Sequence, residues 1–121
     1  VGEPLRDVAD MRRAGGLLTK KHGVPFLIKG GHLAGKDAID LLFHNGTVIE
    51  FSAPFSRGIA THGTGCTYSA AITAGLATGV SLEESIRAAK EYVAASIARH
   101  FRWQRPDGAA IHALNHSPSR A

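Results

Sequence analysis

The sequence predicts an α/β fold, of which it supplies only part of the sheet. Apolar residues recur at helical spacing near both ends of the chain. A short apolar run and a hairpin signal lie between them, followed by a helix rich in small residues. Three predicted strands make a small sheet for helices that cover both faces. We therefore expect an incomplete α/β arrangement, to which a missing N-terminal portion would add strands.

Residues 4–22 are predicted to form the first helix. Pro4 suits a first helical position, where its missing N–H costs nothing, and apolar residues recur at helical spacing from Val8 to Leu18. A glycine pair inside this stretch weakens the prediction locally. Residues 25–30 follow as a short buried strand, because the centre of this run is continuously apolar.

A hairpin is predicted next. Residues 38–44 and 47–52 have the composition of strands, and Asn45 and Gly46 between them are a strong signal for a tight turn. Residues 53–63, which contain proline and glycine, are predicted to form a loop.

Two helices are predicted in the second half of the chain. The first runs from about Gly65 to Thr78 and is rich in alanine and glycine, so it can approach another backbone closely. Gly79 suits the cap of its C-terminus. The second begins at a Ser-x-x-Glu capping box over residues 81–84 and continues to about Phe101 with one apolar face.

Residues 106–121 are polar and mixed, and we expect an irregular tail that contains either one short strand around 110–114 or none. Phe101 and Trp103, at the end of the last predicted helix, are expected to cover a core rather than to stack on a base. All 121 residues are assigned to a single domain.

Composition limits the class of function. The net charge is +4 and the apolar content 44%, as in globular proteins. Basic residues are scattered, so solvated helix faces explain them better than a nucleic-acid surface does. A single cysteine allows no disulfide within the chain, and no run of about 18 apolar residues could span a membrane. We expect a cytoplasmic protein, without nucleic-acid or membrane partners, whose sequence starts partway through a longer chain.

Residues 61–67, Thr-His-Gly-Thr-Gly-Cys-Thr, give the strongest chemical signal. Gly63 and Gly65 permit unusual backbone conformations and leave no Cβ in the way of a ligand. The first N–H groups of the following helix lack internal partners, and the helix dipole adds partial positive charge. We therefore predict a phosphate site. The thiolate of Cys66 would serve as base for a hydroxyl, and the N–H groups would stabilise a migrating phosphoryl group.

Two separated motifs resemble those of the hydroxymethylpyrimidine phosphate kinases, a branch of the ribokinase-like superfamily. One consists of residues 62–67 with Ser-Ala-Ala at 69–71, and the other is residues 26–32, Phe-Leu-Ile-Lys-Gly-Gly-His. The superfamily commonly has Asp where this branch, like this chain, has Cys66. The resemblance covers roughly residues 5–103. It implies the C-terminal portion of a three-layer α/β/α sandwich that forms one kinase domain.

The resemblance also implies roles for the motif residues. Those that would form the anion hole and supply the catalytic group are Gly63, Thr64, Gly65 and Cys66. Those that would lie near the nucleotide are Lys29, Gly30, Gly31, Thr61 and His62. The family uses ATP and Mg²⁺ to phosphorylate the hydroxymethyl or phosphate oxygen of a pyrimidine in thiamine biosynthesis. Such a transfer depends mainly on positioning and charge neutralisation.

Half of the implied active site is not in this sequence. In the family, the pyrimidine pocket and an Asn- and Glu-containing motif that organises Mg²⁺ belong to the N-terminal half. We therefore expect that these 121 residues alone do not turn over substrate. Sheet edges exposed by truncation favour association, for example as a homodimer.

Two other functions stay open. A pyridoxal-type vitamin kinase of the same superfamily is the enzyme alternative, since some of these kinases resemble the pyrimidine branch closely. A non-catalytic fragment or an interaction module is the alternative from another class.

Two further patterns are weak. Residues 30–37, Gly-Gly-His-Leu-Ala-Gly-Lys-Asp, nearly match a P-loop, but Asp37 replaces the hydroxyl that binds Mg²⁺ and a strand is predicted where a helix is needed. Of the seven histidines only His112 and His116 are closely spaced, and they lie in the tail. We predict no metal site from either pattern.

Overall fold

The computed structural model describes residues 2, 4–31, 33, 35–56, 58–59 and 62–118. They fall into two compact units, one that ends at Phe55 and one that begins at Ser56. No helix in these ranges combines the length and the hydropathy needed to cross a bilayer.

The first unit contains one helix and a three-stranded sheet. Its elements are α1 (Val8–His22), β1 (Phe26–Lys29), β2 (Asp37–His44) and β3 (Thr47–Pro54). The strand order is β1-β2-β3, and both pairs are antiparallel. Asn45 and Gly46 have positive φ values of 49° and 74°, which a tight type I′ hairpin turn requires. The predicted strand and hairpin are confirmed, although β1 is half-buried rather than buried and β3 extends into residues predicted as loop.

The helix α1 begins later than its sequence predicts. Asp7 is the N-cap, and its carboxylate accepts a hydrogen bond of 2.8 Å from the Asp10 N–H. Pro4 therefore lies outside the helix, and its predicted place in the first turn is wrong. Aspartate is a preferred N-cap because its side chain satisfies an orphan N–H, so the helix starts at the residue that provides this bond. At the other end, Gly23 adopts a φ of 68° and closes the helix.

The core of this unit is formed where α1 packs on the middle strand. Met11 of α1 and Leu41 and Phe43 of β2 are buried together. Gly15 faces the same strand, and a Cβ placed on it would lie 2.0 Å from the Phe43 ring. The glycine that weakens the predicted helix is thus required by the close approach of α1 to the sheet.

The second unit contains two helices and a two-stranded sheet. Its elements are α2 (Thr64–Ala77), α3 (Leu82–Ala98), β4 (Phe101–Gln104) and β5 (Ala110–Ala113). Both predicted helices are confirmed, and so is the short strand that the sequence left open in the tail. Ser81 caps α3 by accepting a hydrogen bond of 3.3 Å from the Glu84 N–H.

The sequence predicted that α3 continues to about Phe101, and this prediction is wrong because residues from Phe101 form the strand β4. Instead the chain turns after Ala98, and β4 pairs with β5 in antiparallel register. Phe101 and Trp103 are 49% and 53% exposed, so the expectation that they cover a core is wrong. Apolar and polar residues alternate from Phe101 to Gln104, which is the period of a strand rather than of a helix.

The two helices of this unit approach each other closely through small residues, as predicted. A Cβ on Gly75 of α2 would lie 2.6 Å from the Oγ of Ser85, a buried residue of α3. Between the helices, Gly79 has a φ of 83°. Its N–H donates to the Leu76 carbonyl, and the Val80 N–H donates to the Gly75 carbonyl. These two bonds form a Schellman motif, so the predicted capping role of Gly79 is confirmed.

Candidate active site

The start of α2 presents backbone N–H groups beside an open position. Gly63 is the N-cap, with φ 84° and ψ 0°, a conformation that favours glycine. A Cβ on Gly63 would meet no atom within 4 Å. The Thr67 N–H donates to the Gly63 carbonyl at 2.8 Å. The N–H groups of Gly65 and Cys66 precede this bond, where a helix offers no internal acceptor.

The charge at this helix start favours an anion. The first turn of α2 contains no acidic residue, so no carboxylate on the helix itself competes for its N–H groups. The helix dipole places partial positive charge at the same end. Together, the N–H groups, the dipole and the open side of Gly63 make a suitable place for a phosphate oxygen.

The side chain of Cys66 is reachable from solvent. Its thiol is free and exposed rather than buried in apolar packing. Cys66 also lines an open groove of about 690 Å³. Alanine side chains of α2 and α3 form most of its walls, and Tyr92 and His116 complete them. A small molecule in this groove can therefore reach the sulfur.

The C-terminal segment contributes to this groove, which sequence reasoning missed. The Asn115 N–H donates to the Ser96 carbonyl at 3.2 Å, and the Tyr92 hydroxyl donates to the His116 carbonyl at 2.8 Å. These bonds hold residues 115–116 along α3. The sequence gives no local signal for them, because their partners on α3 lie about twenty residues earlier.

Three residues predicted to lie near the nucleotide, Lys29, Gly30 and Gly31, lie in the first unit, at the end of β1 and just after it. Lys29 is exposed at the end of β1. Gly30 is buried, and its N–H donates to the Asp40 carboxylate at 3.1 Å. A Cβ on Gly30 would lie 2.3 Å from the Ile39 carbonyl oxygen, whereas one on Gly31 would meet nothing within 4 Å. Close packing therefore explains why residue 30 is a glycine, whereas Gly31 leaves open space beside it.

The remaining predicted residues divide as follows. His62 is exposed and Thr64 is partly buried at the start of α2. Thr61, and His32 of the other motif, lie outside the described residues. Asp37 begins the strand β2, so the helix that a P-loop would need is absent there, and the P-loop alternative is excluded.

A strong electrostatic interaction lies outside this region, in α1. The pKa of the Asp10 carboxyl is lowered to about 2. The largest cause is the hydrogen bond from the Arg6 backbone N–H, followed by those from the Arg13 and Arg6 side chains. This carboxylate joins the chain before α1 to the first turns of the helix, which is a structural role.

The residues that the structure describes contain no ready-made cluster of metal ligands. Among them, no group of three or more histidine, cysteine, aspartate or glutamate side chains is arranged to hold a metal ion. Magnesium is commonly held by one or two carboxylates together with substrate phosphates and water.

Comparison with known proteins identifies the family. Residues 1–110 match the family described as phosphomethylpyrimidine kinase. The chain belongs to the phosphomethylpyrimidine kinase family. The resemblance inferred from residues 26–32 and 62–67 is thereby confirmed.

Individual relatives agree with this membership. The chain is 45% identical over 92 residues to the hydroxymethylpyrimidine/phosphomethylpyrimidine kinase of Rhizobium meliloti (strain 1021), covering 76% of this chain and 35% of that protein. It also resembles an ADP complex of Bacillus subtilis pyridoxal kinase, with a TM-score of 0.84 and 32% identity over 96% of this chain and 44% of that one.

A third match is the pyridoxal kinase from Staphylococcus aureus in complex with AMP-PCP and pyridoxal. Its TM-score is 0.82 at 30% identity, and the match covers 94% of this chain and 41% of that one. The predicted ribokinase-like α/β fold class is confirmed for this member of the phosphomethylpyrimidine kinase family. The chain spans less than half the length of each of these three relatives.

Proposed function

We propose that these 121 residues form the C-terminal part of a single kinase domain that phosphorylates hydroxymethylpyrimidine or its phosphate in thiamine biosynthesis. The observation that carries the proposal is local. The exposed thiol of Cys66 lies on the first turn of a helix whose N-cap, Gly63, is open to a ligand. Membership of the phosphomethylpyrimidine kinase family supports the choice of reaction.

The start of α2 would stabilise the transferring group. Negative charge develops on the oxygens of a phosphoryl group in flight, and N–H groups already aimed at that place lower the barrier. We assign this role to the N–H groups of Gly65 and Cys66. The open side of Gly63 leaves the space that the phosphoryl oxygens need.

The thiol of Cys66 would handle the proton. In the first phosphorylation, the acceptor hydroxyl loses its proton as its oxygen forms a bond to the γ-phosphorus of ATP and the bond to the β–γ bridging oxygen breaks. The Cys66 thiolate accepts that proton, and ADP leaves. A general base in this position typically contributes a factor of about 10²–10⁴ in rate.

The loop after β1 is proposed to contact the nucleotide phosphates. Lys29 is exposed and can offer a positive charge, while Gly31 leaves room for a close approach. The hydrogen bond from the Gly30 N–H to Asp40 fixes the start of this loop on the sheet. We also assign Thr61 and His62 to the nucleotide side of the site. Mg²⁺ bound with ATP would neutralise phosphate charge during the transfer.

We further propose a cytoplasmic location and a homodimer, without nucleic acid or a membrane as partner. The mild net charge of +4 suits phosphorylated small molecules. Light scattering measures the mass of the protein in solution and so tests directly whether it forms a dimer.

A chimeric enzyme tests the proposed reaction. The N-terminal portion of the R. meliloti relative, joined to this chain, should phosphorylate hydroxymethylpyrimidine in the presence of ATP and Mg²⁺. The isolated 121 residues should show no turnover. A folded chimera that uses no acceptor would contradict a kinase function. Turnover by the isolated chain near that of the relative would contradict the expectation that half of the site is missing.

Pyridoxal phosphorylation is the second candidate. The structural similarity to two pyridoxal kinases favours it, whereas the family match favours the pyrimidine. The two acceptors can be offered together to the same chimera. We expect preferential use of hydroxymethylpyrimidine, and preferential use of pyridoxal would transfer the assignment to the vitamin kinase.

A further inference from the structure

Two histidines that are distant in sequence lie together in the second unit. His100 follows α3, His112 belongs to β5, and their ring centroids are 4.8 Å apart with the planes tilted by 45°. Sequence spacing pairs His112 with His116 instead. The antiparallel register of β4 and β5 brings His112 back toward the end of α3, which creates the contact with His100.

The hydrogen bond of His100 determines which of its ring nitrogens can accept. Its Nδ1 lies 2.9 Å from the Ile97 carbonyl oxygen. A carbonyl oxygen only accepts, so Nδ1 carries the proton and Nε2 of the neutral ring has a free lone pair. A histidine that binds a metal through one nitrogen usually donates its other N–H to a carbonyl or carboxylate in this way.

The ring of His112 has an unsatisfied nitrogen. Its Nδ1 is buried and has no hydrogen-bond partner among the described residues. A buried polar atom without a partner is costly and is uncommon in folded proteins. A bound ion is one established explanation for such an atom.

We propose that His100 and His112 together bind one divalent ion of the late transition metals, of which Zn²⁺ and Ni²⁺ are representative. Neutral imidazole nitrogens suit these ions, whereas Mg²⁺ and Ca²⁺ prefer oxygen. The site supplies two protein ligands, and water completes the coordination. It is thus distinct from any magnesium site of the kinase reaction and does not depend on the proposed function.

Calorimetric titration of the 121-residue chain with Zn²⁺, repeated with Ni²⁺, tests the proposal. We expect saturable binding of one ion per chain. His100→Gln and His112→Gln should each weaken it at least about tenfold, in line with the effect of disturbing metal-site residues. His22→Gln and His116→Gln are matched controls that remove an imidazole elsewhere, and they should bind as the unchanged chain does.

A second measurement separates loss of the site from loss of the fold. Zn²⁺ should raise the thermal unfolding midpoint of the unchanged chain and of both controls, because it binds the folded state. It should not raise the midpoint of the His100 or His112 variant, even where far-UV circular dichroism shows unchanged helix content. No saturable binding by the folded chain, or equal binding by all four variants, would overturn the proposal.

Discussion

The thiol of Cys66 belongs to the first turn of α2, where the helix dipole and the N–H groups favour negative charge. It is exposed and lines an open groove. In the proposed reaction, this side chain serves as base while the backbone beside it stabilises the phosphoryl group. The two contributions can be separated, because a substitution at Cys66 removes the thiol and leaves the N–H groups.

Replacement of Cys66 should therefore impair turnover without impairing the fold. In the active chimera, Cys66→Ala should lower kcat by about 10²–10⁴-fold, the usual contribution of a general base. Its thermal unfolding midpoint should stay unchanged, because the side chain is exposed. Thr73→Ala, at an exposed position farther along α2 and outside both motifs, is a control that should keep normal turnover. Near-normal turnover of the Cys66 variant would show that the thiol is not the base.

The carboxylate of Asp10 gives a prediction about acid stability. Its folded-state pKa of about 2 lies below the ordinary value of 3.8, so the unfolded chain takes up its proton first. The stabilisation is complete above the ordinary value and is lost as the pH falls toward 2. The free energy of unfolding should fall less steeply between pH 4 and pH 2 in Asp10→Asn than in the unchanged chain.

Denaturant titrations at several pH values measure that slope. Glu91→Gln, at an exposed position of α3, is the control and should keep the original dependence. An identical slope in the Asp10 variant would mean that the bonds from Arg6 and Arg13 do not favour the ionised carboxylate.

The sequence predicts a phosphate site at Gly63 and Cys66 because the pattern that indicates it is local. Glycines precede a helix, and the thiol lies at the start of that helix. The sequence does not explain Gly30 in the same way. The atom that excludes a side chain there is the Ile39 carbonyl oxygen, which belongs to the neighbouring strand. A role that depends on a partner nine residues away cannot be read from the Gly-Gly pair itself.

Among the secondary-structure elements, prediction succeeded where the signal was contained in a few neighbouring residues. The Asn45-Gly46 turn and the Ser81 cap are examples. The strand β4 was missed because it follows an amphipathic helix directly, and its stabilising partner, β5, comes later in the chain. Pairing between strands outweighed the local helical pattern near Phe101.

The packing of α1 on β2 can be tested with two adjacent glycines. Gly15→Ala should lower the free energy of unfolding by about 1–3 kcal/mol, the usual cost of overpacking, because the new Cβ would collide with the Phe43 ring. Gly16→Ala meets no atom within 4 Å and should instead stabilise by roughly 0.5–1 kcal/mol through helix propensity.

Chemical denaturation of the two variants under the same conditions gives both values. Equal and favourable effects of the two substitutions would contradict the close approach of α1 to Phe43. Partial recovery of the Gly15 variant by an additional Phe43→Leu substitution would locate the collision at the ring.

Across the complete chain, the family match extends over residues 1–110, yet the chain spans only 35–44% of the three relatives compared. The fold class could be predicted because the two motifs and the element order lie within the sequence. The choice of acceptor could not, because the resemblance implies that the pyrimidine pocket belongs to residues outside the sequence. The His100–His112 contact was also unpredictable, since it depends on how β5 returns toward α3.

We propose that phosphoryl transfer takes place at the start of α2, beside Cys66. The rate at which iodoacetamide modifies Cys66 in the chimera, followed by mass spectrometry, tests it most directly. We expect modification to be fast in the free enzyme and to slow markedly when AMP-PCP and hydroxymethylpyrimidine are bound together. If both ligands bind and the rate at Cys66 does not change, the reaction takes place elsewhere.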